Sequence, residues 1–289
     1  CNFEGVHSGH LHILQRLKNE AIHRGLQSVV VIFEPQPNEF FARQHHRSPI
    51  ARLTPLRDKL QLLQQSQCVD EVYVLRFNHQ FAQMPASSFI QTILRERLNT
   101  RYLLVGDDFR FGQARTGDFD LLRCQPDFIT ERTPSILIAG ERASSTAVRQ
   151  ALNTGRLDQA RQILGHDYQL SGRVKHGKKL GRTLGSPTAN IHLPPHHYAL
   201  HGVFVVEAIS ALGKHQGVAN FGSNPTVEQT HSPKLEVHLL DFQGNLYGKR
   251  LSINFLHKLR DEQKFASLEK LVQQIHADMD AARNWWADA

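Results

Sequence analysis

The pattern of the chain changes near Gly165, and that change limits the folds open to it. Before it, helical and strand patterns alternate. Apolar residues recur at helical spacing from Leu11 to about Arg24 (Leu11, Leu14, Leu17, Ala21), and Gly25 stands where a C-terminal cap belongs. Val29 to Phe33 reads as a buried strand, followed by a Pro-rich loop from Glu34 to Pro37. Further helices are predicted from Thr54-Pro55 to about Ser66 and from Ser87 to Leu98, with strands at Val72 to Leu75 and Tyr102 to Val105. Such alternation predicts a parallel sheet covered on both faces, with ligands at the carboxyl ends of its strands. The loops after Phe33 and Val105 are therefore candidate binding loops.

Past Gly165, strands dominate: Gln169 to Val174, Val203 to Ile209, Gln216 to Asn220, Leu235 to Asp241 and Leu251 to Phe255. Gly244-Asn245 predicts a hairpin between the last two. This spacing predicts a closed antiparallel barrel. Phe265, Leu268, Leu271, Val272, Ile275 and Met279 form one stripe, so a closing helix is expected from Glu262 to about Ala282. The two domains are expected over 1–160 and 166–289, with a linker near Gly155 to Tyr168.

At 289 residues the chain is long enough for two domains of about 150 residues each. Its longest strongly apolar run, Val29 to Phe33, is far short of the roughly 20 residues of a spanning helix. The net charge of +7 divides as +3 over residues 1–150 and +4 over the rest. Without a basic block, that excess fits a solvated surface or several phosphate contacts better than a nucleic-acid stripe, and small polyanions such as nucleotides fit it equally well. Neither a nucleic-acid nor a membrane partner is expected, and the oligomeric state is left open. Three cysteines without CxxC spacing exclude a disulfide framework and a cysteine zinc site, and fit a reducing, cytoplasmic setting.

Four segments carry chemistry. His7-Ser8-Gly9-His10 precedes the first helix, where helix amides, two imidazoles and a close-approach glycine suit a phosphate. Ser144-Ser145-Thr146-Ala147-Val148-Arg149, with Arg142 just before it, opens another helix; Arg142, Ser145, Thr146 and Arg149 form a candidate clamp for β- and γ-phosphates. The Gly- and Lys/Arg-rich stretch from Gly172 to Arg182 can wrap phosphates, through Gly177, Lys178, Gly181 and Arg182. Pro187-Thr188-Ala189-Asn190 follows it, and Thr188 and Asn190 present two oxygen donors suited to Mg²⁺. Taken singly, three of them have a plain structural alternative: incidental histidines, a helix cap, a polar turn.

Taken together, the motifs resemble a known family. Asn2 to His10, Phe33-Glu34-Pro35-Gln36-Pro37 and Val105 to Gly112 are similar to the FAD synthetase module of bacterial bifunctional riboflavin kinase/FAD synthetases. The glycine loop, PTAN, Asn220 to Thr226, Leu235 to Phe242 and Leu259 to Phe265 resemble the riboflavin kinase module. The resemblance implies a Rossmann-like α/β nucleotidylyltransferase domain of the HxGH type, then an antiparallel β-barrel riboflavin kinase domain with a C-terminal helix. It also implies phosphorylation of riboflavin to FMN and adenylylation of FMN to FAD, with ATP as co-substrate and Mg²⁺ as cofactor. Glu236 would be the kinase base; His7 and His10 would serve adenylyl transfer, with Gly9 at the ATP. Phe33, Pro35, Pro37, Phe41 and Phe111 would meet flavin in the first domain, Asp108 would contact nucleotide or flavin there, and Arg260 would lie near the flavin in the second. Glu4, Ser8, Gln36 and Ser186 stand where the family commonly has Asp, Leu, His and Phe.

Two alternatives stay open at this stage: an HxGH adenylyltransferase for another substrate, and a non-enzymatic flavin- or nucleic-acid-binding protein. The chain starts at Cys1 with no strand ahead of its His-rich turn. A doubly wound sheet needs a strand to feed that loop, so an upstream strand and an open slot beside Val29 to Phe33 are expected. The expectation carries a consequence: robust kinase activity with weak FAD synthesis.

Overall fold

The computed structural model describes residues 2–134, 136–138, 140–175, 188–224 and 232–289. They form two compact units, Cys1–Ile50 with Lys59–Ser144, and Ala51–Asp58 with Ser145–Ala289.

In the first unit, helix α1 (Ser8–Arg24) starts three residues earlier than its apolar periodicity predicts. The reason is a cap: the His7 side chain accepts the His10 N–H, so the turn itself becomes helix. Gly25 ends α1 in the left-handed region at φ 64°, where a glycine costs least. Strand β1 (Val29–Glu34) pairs in parallel with β2 (Glu71–Arg76), and β3 (Tyr102–Gly106) pairs in parallel with β4 (Ile129–Thr133). A short hairpin, β5 (Leu137–Ile138) and β6 (Glu141–Arg142), completes the strands. Among the described residues the two parallel ladders are not joined. The far edge of β1 meets the Asn2 side chain, whose Oδ1 accepts the Phe33 N–H at 2.8 Å while its Nδ2 donates to the Phe33 carbonyl at 3.3 Å. One amide thus imitates the rung of a strand. Phe89, Ile93, Val105, Leu122 and Phe128 form the apolar core beneath β3.

The second unit is a closed six-stranded barrel. Its strands are β7 (Tyr168–Lys175), β8 (Thr188–His192), β9 (Gly202–Ser210), β10 (Gly213–Asn224), β11 (Ser232–Leu239) and β12 (Arg250–Arg260), in spatial order β10-β11-β8-β7-β12-β9, and every pairing is antiparallel. The predicted hairpin at Gly244-Asn245 is not formed. The local turn exists, with Asn245 Oδ1 accepting the Tyr247 N–H at 3.0 Å, but β12 pairs with β7 and β9 rather than with β11. Helix Leu268–Asp288 closes the unit. It starts later than its stripe predicts because Ser267 caps it, accepting the Lys270 N–H, which leaves Phe265 in the segment before the helix. The stretch expected as a linker is partly helix, Leu157–Leu164, ended by Gly165 at φ 79°.

Residues 51–58 belong to this unit although their sequence neighbours lie in the first. Tyr168 donates its hydroxyl to the Leu53 carbonyl at 2.9 Å, and the Arg52 N–H donates to the His197 carbonyl at 2.7 Å. Ser171 gives its N–H and hydroxyl to the Asp58 carboxylate at 2.9 and 2.5 Å. Burial nevertheless pushes the Asp58 carboxyl above its ordinary range.

Candidate functional sites

The first site gathers around the start of α1. The His7 and His10 rings stack with centroids 3.6 Å apart, and both side chains are buried. Gly9 makes that stack possible: a Cβ there would sit 3.2 Å from the His7 ring and 3.4 Å from the Ala143 side chain. Because His7 Nδ1 accepts a backbone N–H, the ring proton resides on Nε2. Burial pushes His7 down to about 4; burial first, then neighbouring positive charge that includes His7 and Lys59, pushes His10 well below its ordinary value. Both imidazoles are therefore neutral at pH 7, hydrogen-bonding groups rather than cations. Beneath them Lys59 and Glu4 form a buried ion pair at 2.8 Å.

This neutrality has a measurable consequence. The unfolded chain takes up a proton at His7 as pH falls below about 6.5, and the folded chain does so only near 4. The contribution to stability is whole above 6.5 and is lost between 6.5 and 4, up to about 3 kcal/mol. Thermal melts of the wild type should fall across that window, and those of His7→Gln should fall less. An equal slope in both would exclude His7 as a source of acid sensitivity.

Around the end of β1 the aromatic rings of Phe33, Phe40, Phe41, Phe77 and Phe81 form a cluster. Phe33 meets Phe77 at 5.8 Å and Phe81 at 5.5 Å; Phe41, 41% exposed, meets Phe77 at 5.8 Å and Phe40 at 5.4 Å. Phe40, Phe77 and Phe81 escaped the sequence reading, although the Phe40-Phe41 pair and a Phe directly after β2 were visible signals. Pro35 and Pro37 flank Gln36, which caps the helix Pro37–Gln44 in a reciprocal box with Glu39. Gln36 thus serves the start of that helix. Phe111 lies in the core, stacked under Phe109 at 5.6 Å and packed on Phe89 at 5.2 Å. Asp108 is exposed in the turn after β3.

Arg142, exposed, ends β6 in the first unit, whereas Ser145, Thr146 and Arg149 belong to the second. Ser145 opens the helix Ser145–Asn153, and Arg149 Nε donates to the Ala51 carbonyl at 2.5 Å.

The second site is a cleft of about 350 Å³ between the outer face of the barrel and the C-terminal helix. Strand pairing aligns its polar groups. One rung runs Arg260, Val203, Asn220, Glu236, Asn190 across β12, β9, β10, β11 and β8. The next runs His257, Val205, Val218, His238, Thr188. Paired residues on one face stand side by side, so Glu236 has an asparagine on either hand. Glu236 also pairs with Lys234 at 3.0 Å. Burial holds His238 below its usual value, and its ring nitrogens lie 3.4 Å from the Thr188 hydroxyl.

At the other end, Arg260 grips Asp278 of the C-terminal helix through two bonds of 2.8 and 2.7 Å, with its guanidinium 5.8 Å from the Phe265 ring centroid. Asp278 was not anticipated. The signal existed: it shares the helix face of Leu271, Ile275 and Ala282, where a lone carboxylate calls for a partner. Gly177, Lys178, Gly181 and Arg182 lie outside the described residues. Among the described residues no group of three His, Cys, Asp or Glu side chains could hold a metal. The oxygens of Thr188 and Asn190 instead fit a hard cation that takes most of its ligands from phosphate and water.

Comparison with known proteins agrees with this division. Residues 1–147 match the FAD synthetase family model and residues 164–286 the riboflavin kinase model. A bifunctional riboflavin kinase/FMN adenylyltransferase of Pseudomonas fluorescens is 45% identical over 285 residues, covering 98% of this chain and 90% of that protein. The protein of the same description from Escherichia coli (strain K12) is 45% identical over 291 residues, covering 99% and 91%. One from Haemophilus influenzae is 41% identical over 286 residues, covering 98% and 91%. A crystal structure described as a macrolide-efflux protein from Streptococcus pneumoniae aligns with a TM-score of 0.80 at 29% identity, covering 99% of this chain and 92% of that one. No helix among the described residues of this chain is long and apolar enough to cross a membrane.

Proposed function

Since the chain belongs to the bifunctional riboflavin kinase/FMN adenylyltransferase family, we propose how its own residues divide that family's two reactions. The enzyme phosphorylates riboflavin to FMN with ATP, and adenylylates FMN to FAD with a second ATP, releasing pyrophosphate. The kinase domain is assigned to 166–289 and the adenylyltransferase domain to 1–160. Its substrates are small molecules, no nucleic acid or membrane takes part, and a cytoplasmic setting suits the free thiols of Cys68 and Cys124.

The observation that carries the kinase assignment is Glu236, midway along the polar rung at the cleft. Its carboxylate accepts the proton of riboflavin's primary hydroxyl, whose oxygen bonds to the γ-phosphorus as the bond to ADP breaks. Thr188 and Asn190 would hold Mg²⁺, which when bound offsets negative charge on the phosphates. Gly177, Lys178, Gly181 and Arg182 are assigned to the same phosphates. Arg260, held by Asp278, is assigned to the flavin.

In the other domain an FMN phosphate oxygen attacks the α-phosphorus of ATP, and no protein nucleophile is required. His7 and His10 act as neutral hydrogen-bonding groups on the phosphates, which gain charge in the transition state. Gly9 leaves room for the nucleotide, and Arg142, Ser145, Thr146 and Arg149 take its β- and γ-phosphates. Phe33, Pro35, Pro37, Phe41, Asp108 and Phe111 are assigned to the flavin.

Incubation with riboflavin, ATP and Mg²⁺, followed by chromatography, should yield FMN and then FAD. Failure to form FMN would overturn the kinase assignment. Arg149→Ala should lower FMN adenylylation by about 10-fold or more, the loss of a charge-assisted contact, and leave FMN formation near normal. Equal loss of both activities would refute a role confined to adenylyl transfer.

A further inference from the structure

The polar rung contains one group that the two reactions above leave unused. Asn220 lines the cleft between Val203 and Glu236, and its Oδ1 is buried with no hydrogen-bond partner among the described residues. A buried acceptor without a donor is costly, so a donor supplied by a ligand is the natural way to satisfy it. We infer that Asn220 is a specificity-determining residue of the kinase, its side-chain oxygen accepting a hydrogen bond from the 3′-hydroxyl of riboflavin's ribityl chain.

The register supports that choice. Neighbouring strands lie about 4.8 Å apart, so Asn220 stands about that far along the rung from Glu236, with Val203 about 10 Å away. With six bonds of about 1.5 Å, the extended ribityl chain spans roughly 7.5 Å from its primary hydroxyl to the flavin ring. A riboflavin whose primary hydroxyl reaches Glu236 therefore passes its middle hydroxyl over Asn220. Its ring then arrives over Val203 and Val218, under Ile275 and Met279 of the C-terminal helix, with Arg260 at the far end of the rung. Polar groups line the polyol path and apolar ones the ring.

A cation is the competing occupant for a bare amide oxygen, and the same spacing disfavours it. Asn190 is two strands from Asn220, about 10 Å, whereas ligands of one Mg²⁺ lie about 2.1 Å from the ion. Asn220 and Asn190 cannot share that ion.

This assignment rests on the kinase chemistry proposed for the cleft, and wild-type phosphorylation of riboflavin tests that chemistry separately. The experiment compares riboflavin with 3′-deoxyriboflavin as substrates of the full-length enzyme. Wild type should prefer riboflavin by about 10- to 100-fold in kcat/KM, since the deoxy analogue leaves the acceptor unpaired. Asn220→Ala should lose most of that preference, with the KM for MgATP and the rate of FMN adenylylation unchanged. Asn220→Ser, which keeps a shorter acceptor, should recover part of it. Equal wild-type rates on the two flavins would overturn the inference, even if the alanine variant failed to fold. So would a preference that survives in Asn220→Ala, or one carried by the 2′- or 4′-hydroxyl instead.

Discussion

Glu236→Gln should lower riboflavin phosphorylation by about 10² to 10⁴, the usual contribution of a positioned general base. The amide keeps the shape of the side chain but cannot take the hydroxyl proton. Flavin binding, followed by fluorescence quenching, should remain, because Asn220, Arg260 and the apolar wall of the cleft are untouched. FAD formation from supplied FMN should also remain, since that chemistry belongs to the other domain. The variant loses its ion pair with Lys234 as well, but Lys234 is exposed and such a pair contributes at most about 1 kcal/mol. A large rate loss with intact binding therefore reports proton transfer. Near-normal FMN formation would remove Glu236 from the mechanism.

The second large effect is expected at Asp278. Removing one partner of a buried pair leaves the other charge uncompensated, at about 3–5 kcal/mol. Side-chain exposure is 7% for Asp278 and 18% for Arg260, so water recovers part of this and about 3 kcal/mol is expected for Asp278→Ala. For a unit of this size that corresponds to a fall in Tm of roughly 6–12 °C. Gln274 also loses its acceptor, a bond of 3.0 Å. Riboflavin KM should rise as Arg260 is released, while FMN adenylylation at moderate temperature is unaffected. The double variant Arg260→Met, Asp278→Leu should melt above Asp278→Ala, because it buries no unpaired charge. An unchanged Tm in Asp278→Ala would show that the pair does not hold the helix to the barrel.

Both effects depend on neighbours that differ in how readable they were. Glu236 lies in a motif, and β-strand alternation puts it and His238 on one face. Asp278 needed the helix to be drawn with its apolar stripe and the carboxylate noticed inside it. Arg260 as its partner needed the packed structure. Phe111 lies in a motif too, but its packing against Phe89 and Phe109 could be read only from the folded chain. That Gln36 caps the helix Pro37–Gln44 is likewise seen only in the folded chain.

Local signals in the sequence determined much of this protein. Helix and strand periods divided the chain into an α/β part and a barrel, and the order of motifs placed two phosphate chemistries on them. Those signals are legible because they act between residues a few positions apart. Tertiary structure alone decided that β11 and β12 are not neighbours, that residues 51–58 join the barrel unit, and that Glu236 stands between Asn190 and Asn220. It also decided that His7 and His10 are neutral. Each of these depends on partners distant in sequence or on exclusion from water. Register, ion pairing and desolvation are properties of the packed chain, and no local pattern encodes them.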